Sequence, residues 1–475
     1  MAVGIVSYDV YIPRYRLDRR LIRQAVGWVG PYVLPGEKAV ANYDEDPVTM
    51  AHAAAFSCLS GKRPPEALLF ASTTNPLREG EAGAIIGTAL GLGPEVRTVD
   101  ISNSLKGGTQ ALLIGLDMVK AGVKGVLVCA ADMRLGRPGG LLEMFFGDAG
   151  ACFLLGDTGL LAEFMGHYSL SYEFIDYRRL PEDRFVNAVE ERFIREEGYG
   201  PFVIEAIEGL FKKYGVSAKD FAKVGYPCLN LAQYQAIARR LGLEPSQLES
   251  PLLEQVGEAG CASPLLILAL MLDKAKPGDD LLVVGYGNGA QALWFRVTEL
   301  TEGRGGKVER ALKRKRALTS YERYLAFRGI LPVEVELLGD VPATQAPLLW
   351  RERKTVLGLW GSRCKRCGTP QYPPQKVCVN PNCRAIGEME EYWFADKPAK
   401  LFTYTADNMA ETLNPPLIYG FVDFEGGGRF VFELTDCELD EVRIGMPLRM
   451  SLRRKFEDRS KGLVGYFWKA VPIFD

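Results

Sequence analysis

Two stretches of this chain, more than a hundred residues apart, repeat one design. Leu116–Asp132 reads LDMVKAGVKGVLVCAAD and Met271–Gly289 reads MLDKAKPGDDLLVVGYGNG. Each is a helix ending in Lys-x-Gly or Lys-Pro-Gly, then a tight turn, then an apolar strand. Gly122 and Gly278 suit the left-handed position that follows a helix, and Pro277 cannot continue one. The first strand is followed, after an excursion, by FFGDAGACFLLGD (Phe145–Asp157), and the second at once by GNGAQALWFRV (Gly287–Val297). A glycine turn feeding a further strand is the pattern of an antiparallel hairpin. The order helix, turn, strand, glycine, strand, met twice, predicts an internal duplication whose halves divide near residue 165. Apolar runs such as Ala67–Ser72, Gly125–Ala130 and Asp280–Gly285 alternate with amphipathic stretches, which predicts an α/β domain with a largely parallel sheet covered by helices.

A chain of 475 residues exceeds what one hydrophobic core usually serves, so two or three domains are expected. Residues 1–165 and 166–300 read as the two halves, 301–355 as a helical arm and linker, 356–395 as a metal ribbon and 396–475 as a small barrel. The arm opens on EGRGGKVERALKRKR (Glu302–Arg316), a basic run expected to be a solvated helix rather than a phosphate site. Ala317–Gly329 is amphipathic and is expected to pack on the first domain. A net charge of −2 and a pI near 6.0 argue against general affinity for nucleic acid or acidic lipid. Two histidines, His52 and His167, exclude a His-rich metal centre. The start, MAVGIVSYDVYIPRY, has no signal-peptide pattern. The longest apolar stretch, Ala262–Leu272, is too short to cross about 30 Å of hydrocarbon. A soluble, cytoplasmic protein without membrane partners is expected.

Four of the ten cysteines fall between Cys364 and Cys383. Cys364-Lys-Arg-Cys367 and Cys378-Val-Asn-Pro-Asn-Cys383 are two knuckles whose thiolates can converge on one ion as the tetrahedron that Zn²⁺ prefers. Four thiolates leave no open coordination position, so the zinc is expected to be structural. It would also help a ribbon too short to bury a core of its own. The other six, Cys58, Cys129, Cys152, Cys228, Cys261 and Cys437, sit in apolar surroundings and read as small core residues of a reducing compartment. After the ribbon, KLFTYTA, LIYGFVDF, RFVFELT, PLRMSLRRKF and GYFWKAV are short strands at near-regular spacing, with a Gly426-Gly427-Gly428 turn. That pattern fits a five-stranded OB-type barrel.

Residues 1–329 resemble the 3-hydroxy-3-methylglutaryl-CoA synthase branch of the thiolase superfamily. The likeness is carried by VGIVSYDVYIPRYRL, GEKAVANYDEDPVTMA, GRPGGLLEMFFGDAGACFLLGD, KPGDDLLVVGYGNGA and SYERYLAFRG. Residues 356–475 resemble the zinc-ribbon/OB-fold proteins that accompany thiolase-fold enzymes, through CKRCGTPQYPP, the second cysteine pair and DCELDEVRIGMPLRM. The resemblance implies a thiolase-type five-layered α-β-α-β-α sandwich of two duplicated halves, followed by a rubredoxin-like zinc ribbon and an OB-type barrel. It also implies coenzyme A thioesters as substrate or ligand, and association through the thiolase core as a homodimer or a heteromer. In such systems the small protein bridges a thiolase and a synthase-like partner and helps hold the CoA moiety; here it is fused.

The family's chemistry needs a cysteine at a helix N-terminus, whose amides lower its pKa and stabilise the oxyanion, together with a glutamate acid/base and a histidine. At the positions this resemblance assigns them stand Leu105 (in NSLKGGT), Thr73 (in FASTTNP) and Pro227 (in PCLN), and Glu258 replaces an asparagine in VGEAGC. Leucine forms no thioester, and threonine accepts no proton at neutral pH. Ser104, beside Leu105, would need a base. Cys261, before the helix Ala262–Leu272, is a substitute nucleophile or a packing residue at the matching helix start. Glu258 is an acid/base or a helix-capping carboxylate.

Three functions follow as expectations. One is a non-catalytic, synthase-like scaffold and CoA-binding subunit of a catalytic thiolase or acyltransferase. A second is a cysteine-independent retro-aldolase on a β-hydroxyacyl-CoA, with Glu258 and Tyr286 as its groups. The third, disfavoured by the acidic pI, is single-stranded nucleic-acid binding through Tyr404, Phe421 and the basic SLRRKF segment.

Overall fold

The computed structural model describes residues 2–27, 34–300, 305–334 and 345–474. The chain divides into two units: Met1–Ala41, Asp46–Ala84 and Glu95–Tyr324 make the first, and Asn42–Glu45, Ile85–Pro94 and Leu325–Asp475 the second.

The first unit is built on nine strands: β1 (Gly4–Tyr11), β2 (Ala67–Ala71), β3 (Arg97–Ile101), β4 (Val126–Asp132), β5 (Ala149–Gly156), β6 (Ala162–Ser169), β7 (Lys223–Gly225), β8 (Asp280–Tyr286) and β9 (Ala290–Val297). They fall into two blocks, β3-β2-β4-β5-β1 and β7-β8-β9-β6, joined through the pairs Gly4–Glu163 and Ile5–Ala162. In the first block β2 runs parallel to β4, and β5 and β1 follow antiparallel. In the second, β7 runs parallel to β8, and β9 and β6 follow antiparallel. The two halves repeat one strand order, as the glycine turns predicted. Residue 165 lies inside β6, the first strand of the second half.

The expectation of a largely parallel sheet needs correcting. Nine strands give eight neighbour pairings, and parallel ladders join only β2 to β3, β2 to β4 and β7 to β8. The cause is local. In each half the turn after the central apolar strand returns the chain antiparallel, so apolar runs buried on both faces need not be parallel.

Helix α1 (Pro47–Cys58) packs on β1, β4 and β5. Helices α2 (Gly107–Lys120) and α4 (Ser263–Lys274) touch strands of both blocks, and α3 (Gly200–Tyr214) packs on β6, β8 and β9. The resulting stack is α-β-α-β-α. Helix α1 starts in a capping box between Asp46 and Thr49 with Pro47 in its first turn. Helix α4 is buried at every position from Ser263 to Leu272, so it is apolar on all sides, as a central helix must be. The starts of α2 and α4 cross so closely that a Cβ on Gly108 would lie 2.2 Å from the Cys261 carbonyl oxygen.

In the arm, Arg316–Leu318 pairs in parallel with Tyr15–Asp18. The Tyr321 hydroxyl donates to Glu143, and Lys38 Nζ lies 4.8 Å from the Tyr324 ring centroid, so the start of the amphipathic segment packs on the first unit as expected. Residues 302–304 of the basic run and 335–344 of the linker lie outside the described residues.

The second unit holds the ribbon strands Trp360–Cys364, Pro370–Gln371 and Met389–Trp393, and a five-stranded sheet. The sheet strands are β10 (Ala399–Asp407), β11 (Leu417–Phe424), β12 (Arg429–Glu433), β13 (Pro447–Asp458) and β14 (Leu463–Pro472), in the order β12-β11-β10-β13-β14. A bridge between Leu434 and Ala470 brings its two edges together as a barrel. In the predicted glycine turn, Gly428 has φ 93°, and a Cβ there would meet the Phe394 ring at 2.5 Å.

Candidate functional site

Leu105 lies just before α2, after Asn103 in a left-handed conformation (φ 71°). It lines a narrow cleft in the first unit. Pro227, Cys228, Glu258 and Tyr286 line the same cleft, so chain segments up to 181 residues apart converge. Thr73 is not among the lining residues. Its amide donates to Asp132 Oδ1 at 2.7 Å, and its carbonyl accepts from Arg179 at 2.6 Å.

The thiols are unsuited to attack. Cys261 is fully buried at the start of the α4 segment, and its sulfur donates to the Ser104 carbonyl at 3.1 Å. Burial, reinforced by the negative Asp132 beside it, pushes its thiol far above the ordinary range. Cys228, the one thiol lining the cleft, is raised to about 12 by burial. The Ser104 hydroxyl lies 3.4 Å from the Gly287 carbonyl, which is no base.

Both oxygens of Glu258 are engaged. One oxygen accepts from the Gly260 amide at 2.8 Å and lies 3.4 Å from Ser263 Oγ, tying down the turn before α4. The other pairs with Arg134 at 2.5 Å, both side chains being less than a tenth exposed. The Tyr286 hydroxyl donates to Asp176 at 2.8 Å. Burial raises the Asp176 carboxyl, and burial with the Asp176 charge raises Tyr286.

Several contributors escaped the sequence reading. Arg134, at the end of β4, stacks 4.1 Å from the Phe146 ring centroid. Asp132, fully buried at the last position of β4, accepts from Ser72, Thr73 and Thr74 with one oxygen and from the Cys261 amide with the other. It thereby fixes two loops at the cleft. Ile194–Tyr199 is a π-helical turn leading into α3, and it brings Ile194, Arg195 and Tyr199 to one wall. Such turns recur at functional sites. The signal available in the sequence was an Asp and an Arg at the carboxyl end of an apolar strand, where α/β folds place ligand-binding groups.

In the second unit the sulfurs of Cys364, Cys367, Cys378 and Cys383 all lie within 4.8 Å of one another. Cys364 and Cys383 are 3.8 Å apart, and Cys367 and Cys378 3.5 Å. A regular tetrahedron with arms of about 2.3 Å has edges of about 3.8 Å, so the four thiolates fit a structural zinc. The six scattered cysteines are all buried. SLRRKF is not an exposed basic patch: the Arg453 side chain is 1% exposed and is paired with Asp44, Glu45 and Asp436. No described helix is long and apolar enough to cross a membrane.

Solved structures place this architecture among thiolase folds. MvaS in complex with 3-hydroxy-3-methylglutaryl coenzyme A matches with a TM-score of 0.63 at 20% identity, over 72% of this chain and 95% of that one. A 3-hydroxy-3-methylglutaryl-CoA synthase complexed with CoA also gives 0.63 at 20%, over 73% and 95%. Sequence relatives go further. The hydroxymethylglutaryl-CoA synthase of Caldivirga maquilingensis is 32% identical over 346 residues, covering 70% of this chain and 99% of the relative. That of Archaeoglobus fulgidus is 32% identical over 340 residues, covering 69% and 98%. The chain belongs to the hydroxymethylglutaryl-CoA synthase family. Residues 351–387 match the ChsH2 rubredoxin-like zinc ribbon domain, and 394–453 the ChsH2 C-terminal OB-fold domain. The resemblances read from the sequence, including the fusion, therefore hold.

Proposed function

We propose that this chain is the synthase-like subunit of an assembly that makes or breaks carbon–carbon bonds in acyl-CoA thioesters. It holds the thioester without forming an acyl-enzyme, and a cysteine-bearing thiolase partner supplies the nucleophile. The carrying observation is Leu105 at the N-terminal approach to α2, lining a retained cleft whose one thiol, Cys228, is held protonated. With a pKa near 12, that thiol is ionised in about one molecule in 10⁵ at pH 7. The zinc ribbon and barrel support the bridging and CoA-holding role, the thiolase core supports assembly as a dimer or heteromer, and a cytoplasmic location fits the free thiols.

Incubating the purified chain with acetyl-CoA and acetoacetyl-CoA is expected to release no CoA thiol above the spontaneous rate, and mass spectrometry of quenched samples should show no acylated residue. Turnover should appear only with a co-purifying thiolase. An acyl adduct on the isolated chain would overturn the reading.

A second reading has its own support: the cleft, which lacks a nucleophile at Leu105, carries a carboxylate paired with Arg134 at Glu258 and a phenol at Tyr286 that donates to Asp176. In a retro-aldol cleavage a base takes the hydroxyl proton, the Cα–Cβ bond breaks as the carbonyl forms, and the electron pair passes to a thioester enolate that is then protonated. On this reading Glu258→Gln lowers cleavage of a β-hydroxyacyl-CoA by about 10²-fold or more. Absence of cleavage in the unaltered protein rejects it.

A further inference from the structure

Beside the Leu105 cleft lies a second, half-open pocket of about 330 Å³. The two share Tyr177, Glu191, Ile194 and Leu229 as a common wall. Beyond that wall the lining turns apolar, with Leu141, Leu142, Phe145, Val186, Ala188 and Val189 contributed by the segment after β4 and by the short ladder that pairs Tyr177 with Ala188. Phe145 and Val186 are buried members of one apolar cluster, with Leu141, Leu142, Tyr177 and Leu229 packed against them. Arg137 and Asn187, which also line it, are bonded to each other at 3.3 Å.

Resting on the thioester-holding reading above, we propose that this second cavity takes the far end of the acyl group, and that the ligand is a thioester carrying a long apolar acyl chain. The cleft at Leu105 and Glu258 holds the polar thioester end, and the chain runs past Tyr177 and Leu229 into the apolar chamber. An acetyl group would reach none of this surface. The occupant follows from adjacency: four residues line both pockets, and the lining they share leads from charged groups to hydrocarbon. The π-helical turn contributes to it by placing Ile194 in the wall and Arg195 on the polar side.

Each buried methylene is worth about 0.8 kcal/mol of transfer free energy, which corresponds to about fourfold in affinity. Calorimetric titration of the full chain with acetyl-, butyryl-, octanoyl- and decanoyl-CoA is therefore expected to show affinity rising several-fold per added methylene. Ala188→Trp, which places an indole at the exposed rim of the second pocket, should flatten that rise while leaving butyryl-CoA binding unchanged. The same acyl series on N-acetylcysteamine, which carries no nucleotide, separates the two claims. Failure of every CoA ester with a retained chain-length dependence among the short thioesters sinks the CoA-holding reading and keeps the cavity assignment. Affinity independent of chain length in both series, or an Ala188→Trp protein that weakens butyryl and decanoyl esters equally, overturns the assignment, as does the absence of binding in both series.

Discussion

Arg453→Met is expected to destabilise the second unit by about 3–5 kcal/mol, because it breaks a buried charge network by removing one partner. Arg453 contacts Glu45 at 2.6 Å, Asp436 at 2.6 Å and Asp44 at 3.3 Å, and none of these four side chains is more than 2% exposed. Lys469, also buried, bridges Asp44 at 2.9 Å and Glu433 at 2.8 Å. Burial alone would raise the Glu433 carboxyl, but the charges of Lys469 and Lys455 outweigh it and hold the group at about 2. Without Arg453, three buried carboxylates would lose the cation they share, and they would have to take up protons or admit water. Methionine restores packing volume and leaves the charge defect, which separates the electrostatic loss from a cavity. Arg429→Met, at an exposed pair with Asp423 on the same barrel, is the control and should change the denaturant midpoint little. Equal midpoints for the two variants would show that the buried network contributes nothing.

That network also shows where sequence reading stops. SLRRKF reads as a basic patch because two of the three carboxylates paired with Arg453, Asp44 and Glu45, stand about 400 residues earlier, and no local pattern announces an ion pair over that distance. The duplication, by contrast, was legible. It rests on helix-terminating and hairpin glycines, whose backbone requirements are local. The same local turns were the reason to doubt a parallel sheet, and the apolar runs misled because burial on both faces, rather than strand direction, makes a strand uniformly apolar. At the cleft, Leu105, Pro227 and Glu258 were singled out because a family motif marks each position, and Tyr286 because it stands in the glycine loop; all four line it. Thr73 was singled out in the same way but does not line the cleft; its backbone amide donates to Asp132. Arg134 and Asp176 were missed because each matters through a partner on another element. Ile194 and Arg195 were missed because a π-helical turn departs from the 3.6-residue period that pattern reading assumes.

Removing the metal should have the other large effect. The ribbon's buried apolar cluster consists of Cys364, Cys378 and Ala385, with Cys383 and Met389 packed against them, so the ligands are themselves most of the core. Zinc binding at such sites carries about 10–16 kcal/mol of apparent free energy at pH 7, and a segment with this little hydrocarbon has nothing of comparable size to replace it. The purified chain is expected to contain one zinc per molecule. Stripping it with a strong chelator, or replacing Cys378 by serine, should abolish the protection of the Cys364, Lys365 and Cys378 amides, which donate to Thr369, Glu388 and Ala385. The amides of β2, β4 and β8 in the first unit should exchange as slowly as before. The ribbon also contributes Tyr372, whose ring packs edge-on against Phe430 at a centroid distance of 5.1 Å and lies 6.2 Å from Phe432, so slow exchange in β12 should weaken as well. If the stripped protein kept full protection across residues 360–393, the four sulfurs would be packing residues and the zinc assignment would fail.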